Sequence, residues 1–415
     1  MAIGDIIVGI DVSTSKVCCS LGQINKFNQV EVLDSASSEC DGFNKGNYDS
    51  TDAISRAIRF AISDIEENHD YTIKSAYINI LGKYVEVYNT KYSIELEDKF
   101  ECVKQKDIDK IISSVALAEL PEGFQVIDIV PNVFITDTKV VTDPIGIYTK
   151  TLSADLDVIV AEKNIIKTIS LAMRKAGLDI DGIIVNGLAV KDLVLDVEEE
   201  QAGTLLLDVG QGLTDISVFK NGNLLHTDSL PIGGDTIAND IAIVLDISSE
   251  EAHKLKKQYG LADPRYIEHD YNIKLATYTG DQDRAIIRCS ELVEIISARI
   301  YEMFEIIKKT LIENDLLSEI KSCVITGSGF NLINKVDKVG EEILGVEVRI
   351  ANVKTNNLYK PECVTSYGII KHISNIKHTK NIGSKLEVDN DQSILNSTVK
   401  SLKKAFGGAF NKKKK

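Results

Sequence analysis

Two aspartates set the chemistry. Asp11 lies in the apolar run Ile6-Ile-Val-Gly-Ile-Asp-Val and precedes Ser13-Thr14-Ser15-Lys16; Asp208 lies in Thr204-Leu-Leu-Leu-Asp-Val and precedes Gly210-Gln211-Gly212-Leu213-Thr214. An apolar run of this length reads as a buried strand, and the small-residue turn after it exposes N–H groups and hydroxyls that hold phosphate oxygens. The carboxylate beside such a turn holds Mg2+ through water. Either hairpin alone reads more readily as a plain structural turn, so the pair carries the argument. Asp208 follows Asp11 by 197 residues, a repeat that predicts two similar lobes offering matched turns to the phosphates of one nucleotide. A third turn, Thr326-Gly327-Ser328-Gly329-Phe330, suits close approach of ribose or adenine to backbone, and a fourth, Pro231-Ile-Gly233-Gly234-Asp235-Thr, opens a helix. No G-x-x-x-x-G-K-[ST] occurs, and Gly210-Gln-Gly-Leu-Thr-Asp has aspartate where a dinucleotide fingerprint needs its third glycine. Six scattered histidines have no ligand spacing.

These turns need elements to position them. Ile6 to Leu21 reads as a buried hairpin, and Thr51 to Glu66 as an amphipathic helix capped by Ser50 or Thr51. A strand follows at Ala76 to Leu81. Residues 83 to 160 change texture: short alternating strands (84–88, 126–130, 139–141) and a helix from Lys106 to Ala118 predict a small α+β insert. Beyond it come a helix from Asn164 to Ala176 that stops at Gly177, and a strand from Gly182 to Val185 leading into Asn186-Gly. The second half repeats strand, Asp, turn, strand. Helices then prevail, including an apolar one from Leu292 to Leu311; a strand 322–326, a helix 331–344 and a last helix opening at Tyr367 complete the compact part.

Four hundred and fifteen residues, 44% hydrophobic and 26% charged, exclude collagen, bulk disorder and a mini-protein. A net charge of −15 argues against a nucleic-acid partner, because phosphates would be repelled. The last segment breaks that pattern. From Ile394 onward there are seven lysines and no acid, so the preceding chain carries −22. At about 100° per residue, Leu395, Val399, Leu402, Phe406 and Phe410 share an arc of roughly 80°, with Lys400 and Lys404 opposite and Lys403 at the margin, which predicts a helix lying on an anionic membrane surface. Docking of that helix back onto the acidic body is the alternative. Seven cysteines without C-x-x-C spacing read as reduced thiols of a cytosolic protein, and neither a signal peptide nor a membrane-spanning segment is expected.

Gly9-Ile-Asp-Val-Ser-Thr-Ser-Lys-Val, Leu207-Asp-Val-Gly-Gln-Gly-Leu-Thr-Asp-Ile and Ile325-Thr-Gly-Ser-Gly resemble the phosphate and adenosine loops of the actin, heat-shock chaperone and hexokinase superfamily. Pro231-Ile-Gly-Gly-Asp-Thr-Ile-Ala-Asn-Asp, Lys175-Ala-Gly-Leu-Asp-Ile-Asp-Gly, Ile129-Val-Pro-Asn-Val-Phe and Asp143-Pro-Ile-Gly narrow the resemblance to the FtsA family of bacterial actin-like cell-division proteins. That family usually has glycine at the positions of Ser13 and Gln211.

The resemblance implies an α/β, two-lobed actin-like ATPase fold of duplicated RNase H-like lobes. Its expected parts are 1–82 and 161–200 (first lobe), 83–160 (inserted subdomain), 201–235 and 315–374 (second lobe), 236–314 (helical subdomain), 375–392 (linker) and 393–415 (membrane helix and tail). It implies ATP with Mg2+ at Asp11, Ser13 to Lys16, Asp208, Gly210 to Thr214, Gly233 to Asp235 and Gly327 to Phe330, with Asp11 and Asp208 on the metal. Arg299 and Glu302 are candidates for purine or ribose, or else a surface ion pair. Asn186 is placed to orient water but is no general base, so hydrolysis is expected to be slow or absent. The implied partners are FtsZ through its C-terminal tail peptide, further copies of the chain, anionic lipid and later division proteins, at the cytoplasmic face of the septal membrane. A pilus-assembly actin relative shares the insert, and a small-molecule kinase shares the phosphate loops; neither has use for a lysine-rich terminal helix.

Overall fold

A computed structural model describes residues 6–24, 30–69, 71–96, 102–116, 120–275, 286–330, 332–351, 353 and 360–376. They form two compact units: residues 6–43, 48–193 and 360–376 in the first, 44–47 and 194–353 in the second.

The first unit opens with β1 (Ile6–Ser13), β2 (Ser15–Ile24) and β3 (Val30–Cys40), followed by the short ribbon β4 (Phe43–Asn44) and β5 (Asn47–Tyr48). Helix α1 (Thr51–Asn68) follows, capped where Ser50 Oγ accepts from Ala53 N at 3.3 Å, a contact worth about 1 kcal/mol. Its Ile54, Ala57, Ile58, Ala61, Ile62 and Ile65 form the buried stripe that the i, i+3, i+4 spacing requires. Next come β6 (Ser75–Ile80) and the insert, made of β7 (Val85–Glu95), α2 (Gln105–Ala116), β8 (Phe124–Ile135), β9 (Val140–Val141) and β10 (Thr151–Glu162). The insert has its own sheet, ordered β7-β10-β8-β9, and its own core, in which Ile108, Ile111 and Ile112 pack with Leu152, Leu156 and Val160. The chain then returns through α3 (Lys163–Lys175), β11 (Asp179–Val185) and α4 (Asn186–Val194).

The second unit contains α5 (Val197–Ala202), β12 (Thr204–Val209), β13 (Thr214–Lys220), β14 (Asn223–Leu230), α6 (Gly234–Leu245), α7 (Ser249–Tyr259), β15 (Asn272–Lys274), β16 (Ile286–Arg288), α8 (Cys289–Glu313), β17 (Ser322–Thr326), α9 (Val336–Leu344) and β18 (Glu347–Ile350). Helix α10 (Val364–Ile376) ends the described chain. The main sheets run β3-β2-β1-β6-β11 and β14-β13-β12-β17-β18. In each, the first three strands are antiparallel and the last two join in parallel. The repeat seen in sequence is therefore a repeat of topology, with Asp11 and Asp208 on equivalent central strands.

Three boundaries differ from expectation. Residues 194–200, expected in the first lobe, belong to the second unit: Arg349 of β18 holds Glu199 through Nε and Nη2, each at 2.6 Å, and donates to Val194 O. Conversely, α10, expected in the second lobe, packs in the first unit, where Ile369, Ile370 and Ile373 join Ile7 and Tyr77. Gly9 permits this, since a Cβ there would lie 2.5 Å from Ser366 O. The helix expected at 331–344 begins only at Val336, because Leu332 (φ 71°) and Lys335 (φ 66°) are left-handed and cannot continue a helix. The tail at 393–415 and the linker from residue 377 lie outside the described residues. Among the described residues no helix is long and apolar enough to cross a membrane.

Candidate nucleotide site

In the first unit β1 and β2 pair from Ile6↔Gln23 to Ser13↔Lys16, which leaves Thr14 and Ser15 as the turn. Ser15 has φ 66°, and Ser13 Oγ donates to Lys16 O at 3.3 Å. Thr14 Oγ1 is buried without a hydrogen-bond partner among the described residues. A buried hydroxyl at the head of this turn fits a phosphate oxygen as acceptor.

Behind the turn, Asn79 of β6 joins the two predicted side chains. Its Nδ2 donates to Asp11 Oδ1 at 2.7 Å and to Asn186 Oδ1 at 2.9 Å, while Val12 N donates to its Oδ1 at 2.8 Å. Asn79 is fully buried and Asp11 and Asn186 nearly so. The Asn186 carbonyl accepts from Asn79, and an amide can orient a water but is no general base. Asn79 was not singled out in the sequence. A lone amide inside Ser75-Ala-Tyr-Ile-Asn-Ile was the available signal, since a buried strand keeps a polar side chain only where it finds partners.

In the second unit three glycine turns nest backbone to backbone. Gly234 N donates to Gly210 O at 3.0 Å, Asp235 N to Gln211 O at 2.7 Å, and Gly329 N to Val209 O at 2.7 Å. A Cβ on Gly233 would lie 2.5 Å from Gly210 O, one on Gly234 2.7 Å from Gly329 Cα, and one on Gly329 2.2 Å from Gly210 O. Only glycine lets these three turns pack so closely on one another. Asp208 faces Asp215 across β12 and β13, so a second carboxylate stands beside the predicted one; Asp215 is buried and accepts from Ser229 Oγ. Together they suit a hydrated Mg2+.

Several predicted side chains have other tasks. Thr214 is fully buried and its hydroxyl donates to Ile232 O at 2.8 Å, Leu213 is core, and Phe330 packs on Phe304 with ring centroids 6.0 Å apart. These residues offer the site backbone alone. Arg299 is held by Asp240 of α6, with Nε at 2.5 Å and Nη2 at 2.9 Å, and also pairs with Glu302. Those bonds tie α8 to α6, the ion pair that was one of the two expectations for Arg299. Lys256 escaped notice in the charged stretch Glu250 to Lys257; it is buried on α7 and donates to Gly234 O at 2.8 Å. Burial pushes its ammonium below the usual lysine range, with Asp235 acting in the opposite sense.

A family model described as cell division protein FtsA matches residues 205–368, and one described as the SHS2 domain inserted in FtsA matches 82–160. The cell division protein FtsA of Pseudomonas aeruginosa is 27% identical over 348 residues, covering 84% of this chain and 83% of that one. The Bacillus subtilis protein of the same description is 26% identical over 368 residues, covering 88% and 83%. Among solved structures, a PilM–PilN type IV pilus biogenesis complex aligns with TM-score 0.59 at 14% identity, over 88% of this chain and 98% of that chain. MreB5 of Spiroplasma citri bound to AMPPNP aligns with TM-score 0.52 at 13% identity, over 90% and 96%. The fold is the α/β fold of actin-like ATPases with an inserted subdomain.

Proposed function

The chain belongs to the FtsA family of cell division proteins, and from that premise we propose that it is an ATP-regulated, self-associating scaffold. It links FtsZ filaments, through their C-terminal tail peptide, to the cytoplasmic face of the membrane and recruits later division proteins. The observation that carries the nucleotide reading is the duplicated strand–aspartate–hairpin unit, with an orphaned hydroxyl at Thr14 in one copy and a glycine cradle in the other. ATP with Mg2+ is the ligand we assign to the Asp11 loop and to the Asp208 loop, with Gly327 and Gly329 at the adenosine side. A nucleotide that binds one conformation better than another shifts the population toward it, and so the ends each subunit presents to the next. A head-to-tail contact that does not close yields a filament. With an amide, Asn186, where a general base would serve hydrolysis, turnover is slow or absent, and the bound nucleotide acts as a state marker. The test is calorimetry with ATP and Mg2+. Asp208→Ala abolishes magnesium-dependent binding; undiminished affinity in that variant would reduce the loops to plain hairpins and overturn the reading.

A further inference from the structure

Gln211 sits between Gly210 and Gly212 at the tip of the β12–β13 turn, and its side chain crosses to another loop. Its Nε2 donates to Ser328 Oγ at 2.9 Å and to Ser328 O at 3.1 Å, while its own carbonyl accepts from Asp235 N at 2.7 Å. One residue therefore touches all three turns of the cradle. Its Oε1 lies so close over the α6 N-terminus that a Cβ on Gly234 would stand 2.8 Å from it. Between the β12–β13 turn and the 231–235 turn, Gly234 N also donates to Gly210 O and the Thr214 hydroxyl to Ile232 O, whereas toward the 327–330 loop the backbone supplies Gly329 N to Val209 O. Each tie removed leaves a glycine-containing loop more conformations, and ordering it at the moment of binding costs affinity.

We propose that Gln211 is a positioning residue that assembles the second unit's nucleotide cradle before any ligand arrives, by clamping the Gly327–Phe330 loop to the phosphate turn through Ser328. This rests on the nucleotide reading above. The carboxamide is neutral, so it adds no charge against phosphate, and both of its bonds end on Ser328 rather than on Gly327 or Gly329. Asparagine, one methylene shorter, cannot span the gap; glutamate has the reach but no donor for Ser328 O and adds a negative charge beside the phosphates.

Hydrogen exchange on the full chain tests the clamp without nucleotide. In the wild type the amides of residues 327–330 are protected in the absence of ligand, and in Gln211→Gly and Gln211→Asn they exchange at least roughly ten times faster, the loss expected when hydrogen bonds worth about 1 kcal/mol each are removed. Global unfolding and the exchange of β12 and β17 stay at wild-type values. Calorimetry then reads the consequence: ATP binds the Gln211→Gly variant about tenfold more weakly, with a less favourable entropy. Unchanged protection of 327–330 in Gln211→Gly overturns the clamp. Tighter ATP binding by that variant overturns it too, since the side chain would then be obstructing the site. No ATP binding by the wild type, with protection still lost in the variant, overturns the nucleotide reading and with it the clamp's role in a nucleotide site.

Discussion

Gly327 has no room for a side chain. Its φ is 91°, and a Cβ would stand 2.4 Å from Val209 O and 2.5 Å from Asp208 Oδ1. Both contacts are with the phosphate turn, so Gly327→Ala is expected to destabilise the second unit by about 2 kcal/mol or more and to displace the Asp208 carboxylate. Thermal unfolding checks the first effect and magnesium-dependent ATP binding the second. At the other end of the chemistry, Asp192 of α4 meets His372 Nδ1 of α10 at 2.7 Å. Burial raises the Asp192 carboxyl, but the hydrogen bond and charge of His372, with Lys191, prevail and hold it below the usual carboxylate range. A depressed folded-state pKa gives stability that is present above the unfolded value, about 3.9, and is lost as pH falls through the folded one. Asp192→Asn is therefore expected to flatten the pH dependence of thermal stability below about pH 4.5 relative to the wild type. Parallel curves across that range would show that the pair contributes nothing.

Elements carry different risks. Helix α10 packs closely on two elements because glycines admit it: on β1 through Gly9, and on α4 through Gly368, whose Cβ would lie 2.4 Å from Ala189 O. Its buried Ile369 and Ile370 add up to about 1.5–3 kcal/mol each. The terminal segment past it is argued from sequence. Leu395, Val399, Leu402, Phe406 and Phe410 on one face, with lysines around them, give a single copy a weak and reversible hold on lipid, since each lysine near an anionic leaflet adds about 1 kcal/mol. Assembly multiplies the anchors, so apparent affinity rises steeply with polymerisation. Truncation after Gln392, or Leu402→Glu with Phe406→Glu, is expected to leave the protein in the supernatant when anionic vesicles are sedimented, with ATP binding intact. Pelleting equal to that of the full chain would place the membrane contact elsewhere.

At the scale of the molecule, each compact unit carries one hairpin with its aspartate, so neither unit by itself holds the full set of predicted ATP and Mg2+ residues. ATP is expected to promote sedimentable filaments on an anionic lipid surface, and Asp208→Ala to remove that dependence; monomers at every concentration with ATP present would exclude polymerisation as the output. Much of this was legible in the linear order of residues. Buried strands announce themselves by apolar runs, α1 and α8 by a 3.6-residue period, and the duplication by two similar strings 197 positions apart, because these signals depend on near neighbours and on composition. The same local grammar marked Asp11, Asp208 and the glycine turns. It could not show that Asn79, between Ile78 and Ile80, is the bond that joins Asp11 to Asn186, nor that Arg299 is held by Asp240, nor that Lys256 braces Gly234. It also put residues 194–200 and α10 with the wrong unit. Those assignments rest on contacts between residues tens to hundreds of positions apart, such as Glu199 with Arg349 and Gly9 with Ser366. Which distant partner satisfies a buried polar group is decided only when the sheets pack, because the cost of leaving it unsatisfied is met in three dimensions and leaves no spacing in the sequence.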